Sequence, residues 1–207
     1  PRGVVPVWAT HLTAAIDIQK KLLYYTVIAW ADDFTGCVID YGAFPDQPRS
    51  YFTLRDDSLI TLQGVGLKLG ITDDDGAIWN GLEQLSARLM GGEWRREGEN
   101  AGTMQVERCL IDTGWGEKTD LVYEFLRRTK HRGLMPYKGY GITAGRAPME
   151  DWAKKTGETR GMNWLVTSAS GQRGMRRVVV DTNFWKTFVA ARCSTAKGTA
   201  GALWVYG

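Results

Sequence analysis

Apolar runs of strand length, separated by short polar turns, fill the first part of the chain. Residues 12–19 (LTAAIDIQ) form one such run. Residues 22–31 (LLYYTVIAWA), rich in aromatic and β-branched side chains, form a second. Asp32-Asp33-Phe34-Thr35-Gly36 reads as a turn, and residues 37–44 (CVIDYGAF) as a third strand. Three strands with short links, the first link being Gln19-Lys20-Lys21, predict an antiparallel meander.

Past a loop at residues 45–50 the pattern changes, and residues 53–70 fit neither strand nor helix clearly. Asp73 to Asp75 open a helix, with acidic residues near its positive end. Ala77, Ile78, Leu82, Leu85, Leu89 and Met90 then recur at helical spacing until Gly91-Gly92 stops it. Residues 93–102 are polar and read as an exposed loop. Residues 104–112 predict the next strand, ending in the turn Thr113-Gly114-Trp115-Gly116. Thr119 or Asp120 caps a helix that buries Leu121, Val122, Phe125 and Leu126. Residues 134–140 form a short strand, 141–161 a loop or insertion, and 162–167 with 175–180 a hairpin. Asp181-Thr182-Asn183 caps a helix through Phe184, Trp185, Phe188 and Val189, and residues 202–206 form a last strand. A meander followed by α/β units is the plan of the RNase H-like mixed sheet flanked by helices. In that plan the first and fourth strands lie side by side at the sheet centre.

At 207 residues, 43% hydrophobic and 24% charged, the chain suits one globular domain with a proper core. No run approaches the ~18 apolar residues of a membrane span. The chain opens Pro1-Arg2-Gly3, without an initiator Met or a signal-peptide pattern, which suggests a domain cut from a longer protein. Cys37, Cys109 and Cys193 form no CxxC or Cys/His cluster, so structural zinc is not indicated. Each lies in an apolar stretch and is expected to pack as a small hydrophobe in a reducing compartment. The net charge of +3 is too mild to diagnose nucleic-acid binding. Its distribution says more: Arg127, Arg128, Lys130, His131 and Arg132 cluster ahead of Lys138, and Arg173, Arg176 and Arg177 form a second group. Gathered on one face, such residues could follow a phosphate backbone; the plainer reading is solvated helix ends and loops.

Two carboxylates carry the chemistry. Asp17 and Asp112 each sit at the end of an apolar run, where a charge is costly unless something pairs with it. On neighbouring strands they would repel each other, and a divalent cation between them removes that penalty. This is the pattern of a metal-dependent phosphodiesterase.

The chain resembles the nuclease domain of a bacteriophage large terminase subunit, of the lambda-type GpA family. The resemblance rests on Leu12-Thr13-Ala14-Ala15-Ile16-Asp17-Ile18-Gln19, Val38-Ile39-Asp40-Tyr41-Gly42 and Pro45-Asp46-Gln47. It continues through Leu110-Ile111-Asp112-Thr113-Gly114, Val122-Tyr123-Glu124-Phe125 and Asp181-Thr182-Asn183-Phe184-Trp185-Lys186. It implies an endonuclease that cuts concatemeric viral DNA during genome packaging, in the host cytoplasm, with two Mg²⁺ or Mn²⁺ ions. Partners so implied are double-stranded DNA, an ATPase motor domain, a small terminase subunit and the portal, with no membrane. No GxxxxGK[ST] occurs, so the chain reads as the nuclease half alone. The family's third metal-binding carboxylate is expected beyond a strand like 202–206, outside these residues.

Asp17 would then bridge both ions and Asp112 bind one. Their plain alternatives are a strand-end cap over the Gln19–Lys21 turn and an Asx-turn before Thr113-Gly114. Asp181 is a candidate third ligand, but a helix N-cap explains it more cheaply. Arg127, Arg128, Lys130, Lys138 and Arg176 are the candidate DNA contacts. His11 and His131 have no partner set for nucleophilic catalysis. Most of the nine tryptophans, Trp30, Trp164 and Trp185 among them, fall at buried-looking positions, and Trp115 is the one placed to touch DNA. The rival reading is a non-enzymatic DNA- or portal-docking module with an incomplete metal site. A glycosidase using paired carboxylates is disfavoured by the meander and the basic clusters.

Overall fold

The computed structural model describes residues 1–141, 143 and 147–207. Its first three strands are β1 (His11–Ile18), β2 (Leu23–Trp30) and β3 (Gly36–Phe44), paired antiparallel in sequence order as the meander requires. Helices α1 (Leu62–Lys68) and α2 (Asp74–Gly91) follow, then the two-residue strands β4 (Trp94–Arg95) and β5 (Thr103–Met104). Next come β6 (Arg108–Asp112), α3 (Thr119–Arg128) and β7 (Leu134–Tyr140). The chain ends with β8 (Thr159–Gly161), β9 (Trp164–Ser168), β10 (Arg176–Asp181), α4 (Thr182–Cys193) and β11 (Leu203–Val205). Nine strands form one mixed sheet in the order β11-β3-β2-β1-β6-β7-β10-β9-β8. β1, β6, β7 and β10 are parallel neighbours, and β9 and β8 continue antiparallel. The result is a mixed α/β fold.

Alternation assigns the two faces. Leu12, Ala14, Ile16 and Ile18 of β1 are buried, as are Leu23, Tyr25, Val27 and Ala29 of β2 and Cys109 and Ile111 of β6. With Leu62 of α1, Ile78, Leu82, Leu85 and Leu89 of α2, and Val122 and Phe125 of α3, they make one continuous core. Strand residues two apart share a face, so α1, α2 and α3 cover one side of the sheet. The other side carries Thr13, Ala15 and Asp17, all only half-buried. Here α4 lies across the sheet and contacts β11, β10 and β7, and no α4 residue is fully buried. Trp185, Phe188 and Val189 of α4 share a groove with Thr13 and Trp30, and Trp30 donates its indole N–H to Thr13 at 2.9 Å. One face is therefore a closed core and the other is partly open.

Several local readings change. The run 104–112 divides into β5 and β6, because β5 pairs with β4 while β6 enters the main sheet. This also gives residues 93–102 a small ladder of their own, anchored by Val5 N–H to the Arg95 carbonyl at 2.9 Å. The α3 N-cap is Lys118, with no side-chain cap, preceded by a 3-10 turn at Gly116–Lys118. Thr119 instead donates its hydroxyl to the carbonyls of Thr113 and Trp115, both at 3.1 Å. The loop read at 141–161 includes residues 142 and 144–146, which lie outside the described residues; its remainder contains a 3-10 turn at Met149–Asp151 and strand β8. Cys37 and Cys109 are buried as expected, but Cys193, at the end of α4, is exposed. Trp30, Trp164 and Trp185 are half-buried, because they line the open face or the outer strands.

Leu85 is fully buried between α2 and the sheet. Leu85→Ala is expected to cost about 2–5 kcal/mol, read as a lower urea midpoint at unchanged slope.

Candidate functional site

β6 and β1 are parallel neighbours, with Thr13 opposite Arg108 and Ile16 opposite Ile111. Continuing that register by one residue sets Asp17 beside Asp112. On the outer sides Asp17 faces Tyr24 of β2, and Asp112 faces Tyr137 of β7. Register partners point to the same side of a sheet. The four residues thus form a row, Tyr24–Asp17–Asp112–Tyr137, across β2, β1, β6 and β7. The row lies on the partly open face, at the carboxyl ends of the parallel strands. In α/β sheets ligands characteristically bind outside those ends.

Both carboxylates are half-buried. Neighbouring strands lie about 4.8 Å apart, so two negative charges sit closer than water alone can screen. Burial pushes the Asp112 carboxyl above the usual aspartate range, and the Asp17 charge pushes it further. The Gly114 N–H and the Lys138 ammonium pull it back without cancelling the rise. Gly114 donates to Asp112 Oδ1 at 2.9 Å, which fixes the carboxyl as an Asx-turn, so both readings of Asp112 coexist. On the partner strand Gln19 Nε2 donates to Asp17 Oδ2 at 2.8 Å. Burial also raises the Tyr24 phenol, with Asp17 adding to it, and raises Tyr137, with Asp112 adding.

Asp181 stands apart. It ends β10, two strands beyond β6, and pairs with Tyr140. Val180 pairs with Gly139 and Val178 with Tyr137, so alternation turns Asp181 to the core face, away from Asp17 and Asp112. It is 4% exposed, and its Oδ1 accepts from the N–H groups of Asn183 and Phe184 at 2.9 and 3.1 Å. This is a helix N-cap. Among the described residues no group of three or more His, Cys, Asp or Glu side chains converges as a metal cluster. Two adjacent carboxylates with hard oxygen donors nonetheless fit a Mg²⁺- or Mn²⁺-like ion that completes its shell with water or phosphate.

The basic candidates divide. α3 leaves β6 at the site edge and returns the chain to the start of β7, so Arg127, Arg128 and Lys130 lie at the opposite edge of the sheet. Arg128 pairs with Glu124 at 2.6 Å, and Arg127 with Glu124 at 3.5 Å and with Gln172. Arg176 begins β10 at that same far edge and donates to the carbonyls of Gly157 and Val166 at 2.9 and 3.1 Å. Lys138 alone of the five is close enough for its charge to act on Asp112. Trp115 is half-buried against the core, with Lys118 6.0 Å from its ring. His11, at the start of β1, meets Glu107 at 3.1 Å, and His131 lies past the end of α3, so neither approaches the carboxylate pair.

Sequence reasoning missed Tyr24, Tyr137 and Gln19. The signal for Tyr24 was present: a tight turn after Ile18 sets residue 24 opposite residue 17. Tyr137 needed the register of β6 against β7, which no local pattern encodes.

Asp181→Asn, which retains the cap acceptor, is expected to keep the wild-type melting temperature, whereas Asp181→Ala loses about 1 kcal/mol. Thermal melts of the two variants check this.

No curated protein and no solved structure matches the chain. The family model described as the terminase large subunit gpA endonuclease domain matches residues 1–206. No described helix is long and apolar enough to cross a membrane. With that family match spanning essentially the whole sequence, the chain belongs to the endonuclease domain family of the gpA terminase large subunit and has a nuclease role in DNA packaging.

Proposed function

We propose that the chain is a divalent-metal-dependent DNA endonuclease with an RNase H-like arrangement, in which Asp17 and Asp112 are the essential metal ligands. The observation that carries this reading is their adjacency on β1 and β6, on the open face at the carboxyl edge of the parallel strands. Two half-buried like charges on adjacent strands are unfavourable alone and become favourable around a cation. Bound Mg²⁺ or Mn²⁺, as one ion or two, would polarise the scissile phosphate and make water nucleophilic at neutral pH. The chain's own residues do the rest. Gln19 holds the Asp17 carboxylate, the Gly114 N–H holds Asp112, and the Lys138 charge, close enough to act on Asp112, offsets part of the negative charge of the pair. In this reading Asp181 acts as a cap and not as the third ligand. The cutting of concatemeric viral DNA beside an ATPase motor, with a small subunit and a portal as partners, is the setting we assign to this domain.

The linkage has a definite sign. The folded Asp112 carboxyl titrates above its ordinary value, so the metal-free fold resists ionising it. That penalty is present above the raised value and disappears as pH falls toward the ordinary value of about 3.9. Asp112→Asn keeps an acceptor for Gly114. It is expected to melt above wild type at pH 7 in EDTA, with the gap closing near pH 4. Mg²⁺ is expected to raise the wild-type melting temperature and to leave the variant unmoved.

Supercoiled plasmid incubated with Mn²⁺ or EDTA tests the activity itself. Nicking is expected only with the metal. Asp17→Ala and Asp112→Ala should each lower it more than about 100-fold, since even outer-shell changes at metal sites cost 10–100-fold. Cutting at the wild-type rate by either folded variant would overturn the assignment.

A further inference from the structure

The acidic pair is bracketed, one strand out on each side, by two phenols. Tyr24 and Tyr137 share the open face with Asp17 and Asp112, and among the described residues neither phenol hydroxyl makes a hydrogen bond. The Tyr24 ring and the Tyr137 backbone are nevertheless held in place. Tyr24 stacks on Phe52, with ring planes 5° apart and centroids 6.2 Å apart. The Tyr137 carbonyl accepts from the Thr113 N–H at 2.9 Å and from its hydroxyl at 2.7 Å. Beside the second phenol stands Gly139, where an added Cβ would lie 3.3 Å from the hydroxyl and 2.3 Å from Thr182. A larger residue there would crowd both.

We infer that Tyr24 and Tyr137 grip the DNA strand on either side of the Asp17–Asp112 pair, each donating a hydrogen bond to a phosphate flanking the one that is cut. The inference rests on reading that pair as the cutting site. It fixes a direction: the bound strand crosses β2, β1, β6 and β7 instead of running along them. The two phenols stand three strand spacings apart, about 14 Å, which suits phosphates on opposite sides of a central one. The residue type suits the task as well. An Arg or Lys in either position would pair with the adjacent aspartate and compete for the carboxylate oxygens. A phenol, with an ordinary pKa of about 10, is a neutral donor that leaves both carboxylates ionised. Beyond Tyr24 lies a cleft of ≈ 670 Å³ that Phe52, Arg49 and Arg88 also line, with Asp40 and Asp46 among its walls and Arg88 paired to Asp46 at 3.2 Å.

The test is DNA affinity, read by fluorescence anisotropy of a labelled duplex in Ca²⁺ between 50 and 200 mM salt, for Tyr24→Phe, Tyr137→Phe and the double variant. Each single change is expected to weaken binding about tenfold, as for one hydrogen bond to a charged group. A neutral donor releases no counterion, so the salt slope should not change. Lys138→Ala, by contrast, should reduce that slope by about one. Wild-type affinity in both phenylalanine variants, or a changed salt slope, would overturn the inference. Thermal melts guard against a merely structural role: the variants should melt with wild type. Cutting in Mn²⁺, measured alongside, reports on the nuclease separately. A wild-type chain that binds DNA in this way but never cuts it counts against the nuclease and leaves the grip standing.

Discussion

The parallel pairing of β1 with β6 is the constraint on which the rest of the molecule turns. It joins the meander to the α/β half, and it places two aspartates side by side at one edge of the sheet. A parallel neighbour cannot be reached by a tight turn. The chain between β3 and β6 therefore passes through α1 and α2, and those helices supply Leu62, Ile78, Leu82, Leu85 and Leu89 to the core. The burial that stabilises the sheet thus also holds two like charges together at its edge. Fully burying one such side chain is worth about 1.5–3 kcal/mol, so the shared core readily outweighs the repulsion of one half-solvated pair.

The two faces divide the labour. α1, α2 and α3 close one side, and every β1 and β6 residue facing them is apolar. A carboxylate there would need a capping partner, as Asp181 has in the N–H groups of α4. The other face is covered only by α4, which begins beside the site edge and crosses to the far one. Water, an ion or a phosphate can reach that edge, and the row Tyr24–Asp17–Asp112–Tyr137 lies there. A strand residue's face thus decides its chemistry: Asp112 and Asp181 both end apolar strands, yet one meets another carboxylate and the other caps a helix.

The meander, the α2 periodicity, the β9–β10 hairpin and the Asp181 cap were all legible because each rests on a local pattern. Where two patterns compete locally, the reading blurred. Residues 104–112 look like one extended run, yet the β4 ladder takes their start and the main sheet takes their end. The basic residues are spread out for a related reason. Arg127, Arg128 and Lys130 are near Lys138 in sequence, but α3 and β7 run in opposite directions and carry them to opposite edges. Arg176, in the second basic group, donates to the carbonyls of Gly157 and of Val166 on the neighbouring strand.

The sequence by itself determined the alternation of elements, the family, and the two aspartates worth attention, because periodicity and short motifs are local properties of the chain. The tertiary structure alone decided what stands next to those aspartates. Register between strands distant in sequence, β1 against β6 and β6 against β7, is set by packing of the shared core. That register put Asp17 beside Asp112, set a tyrosine on each flank, and turned Asp181 to the opposite face.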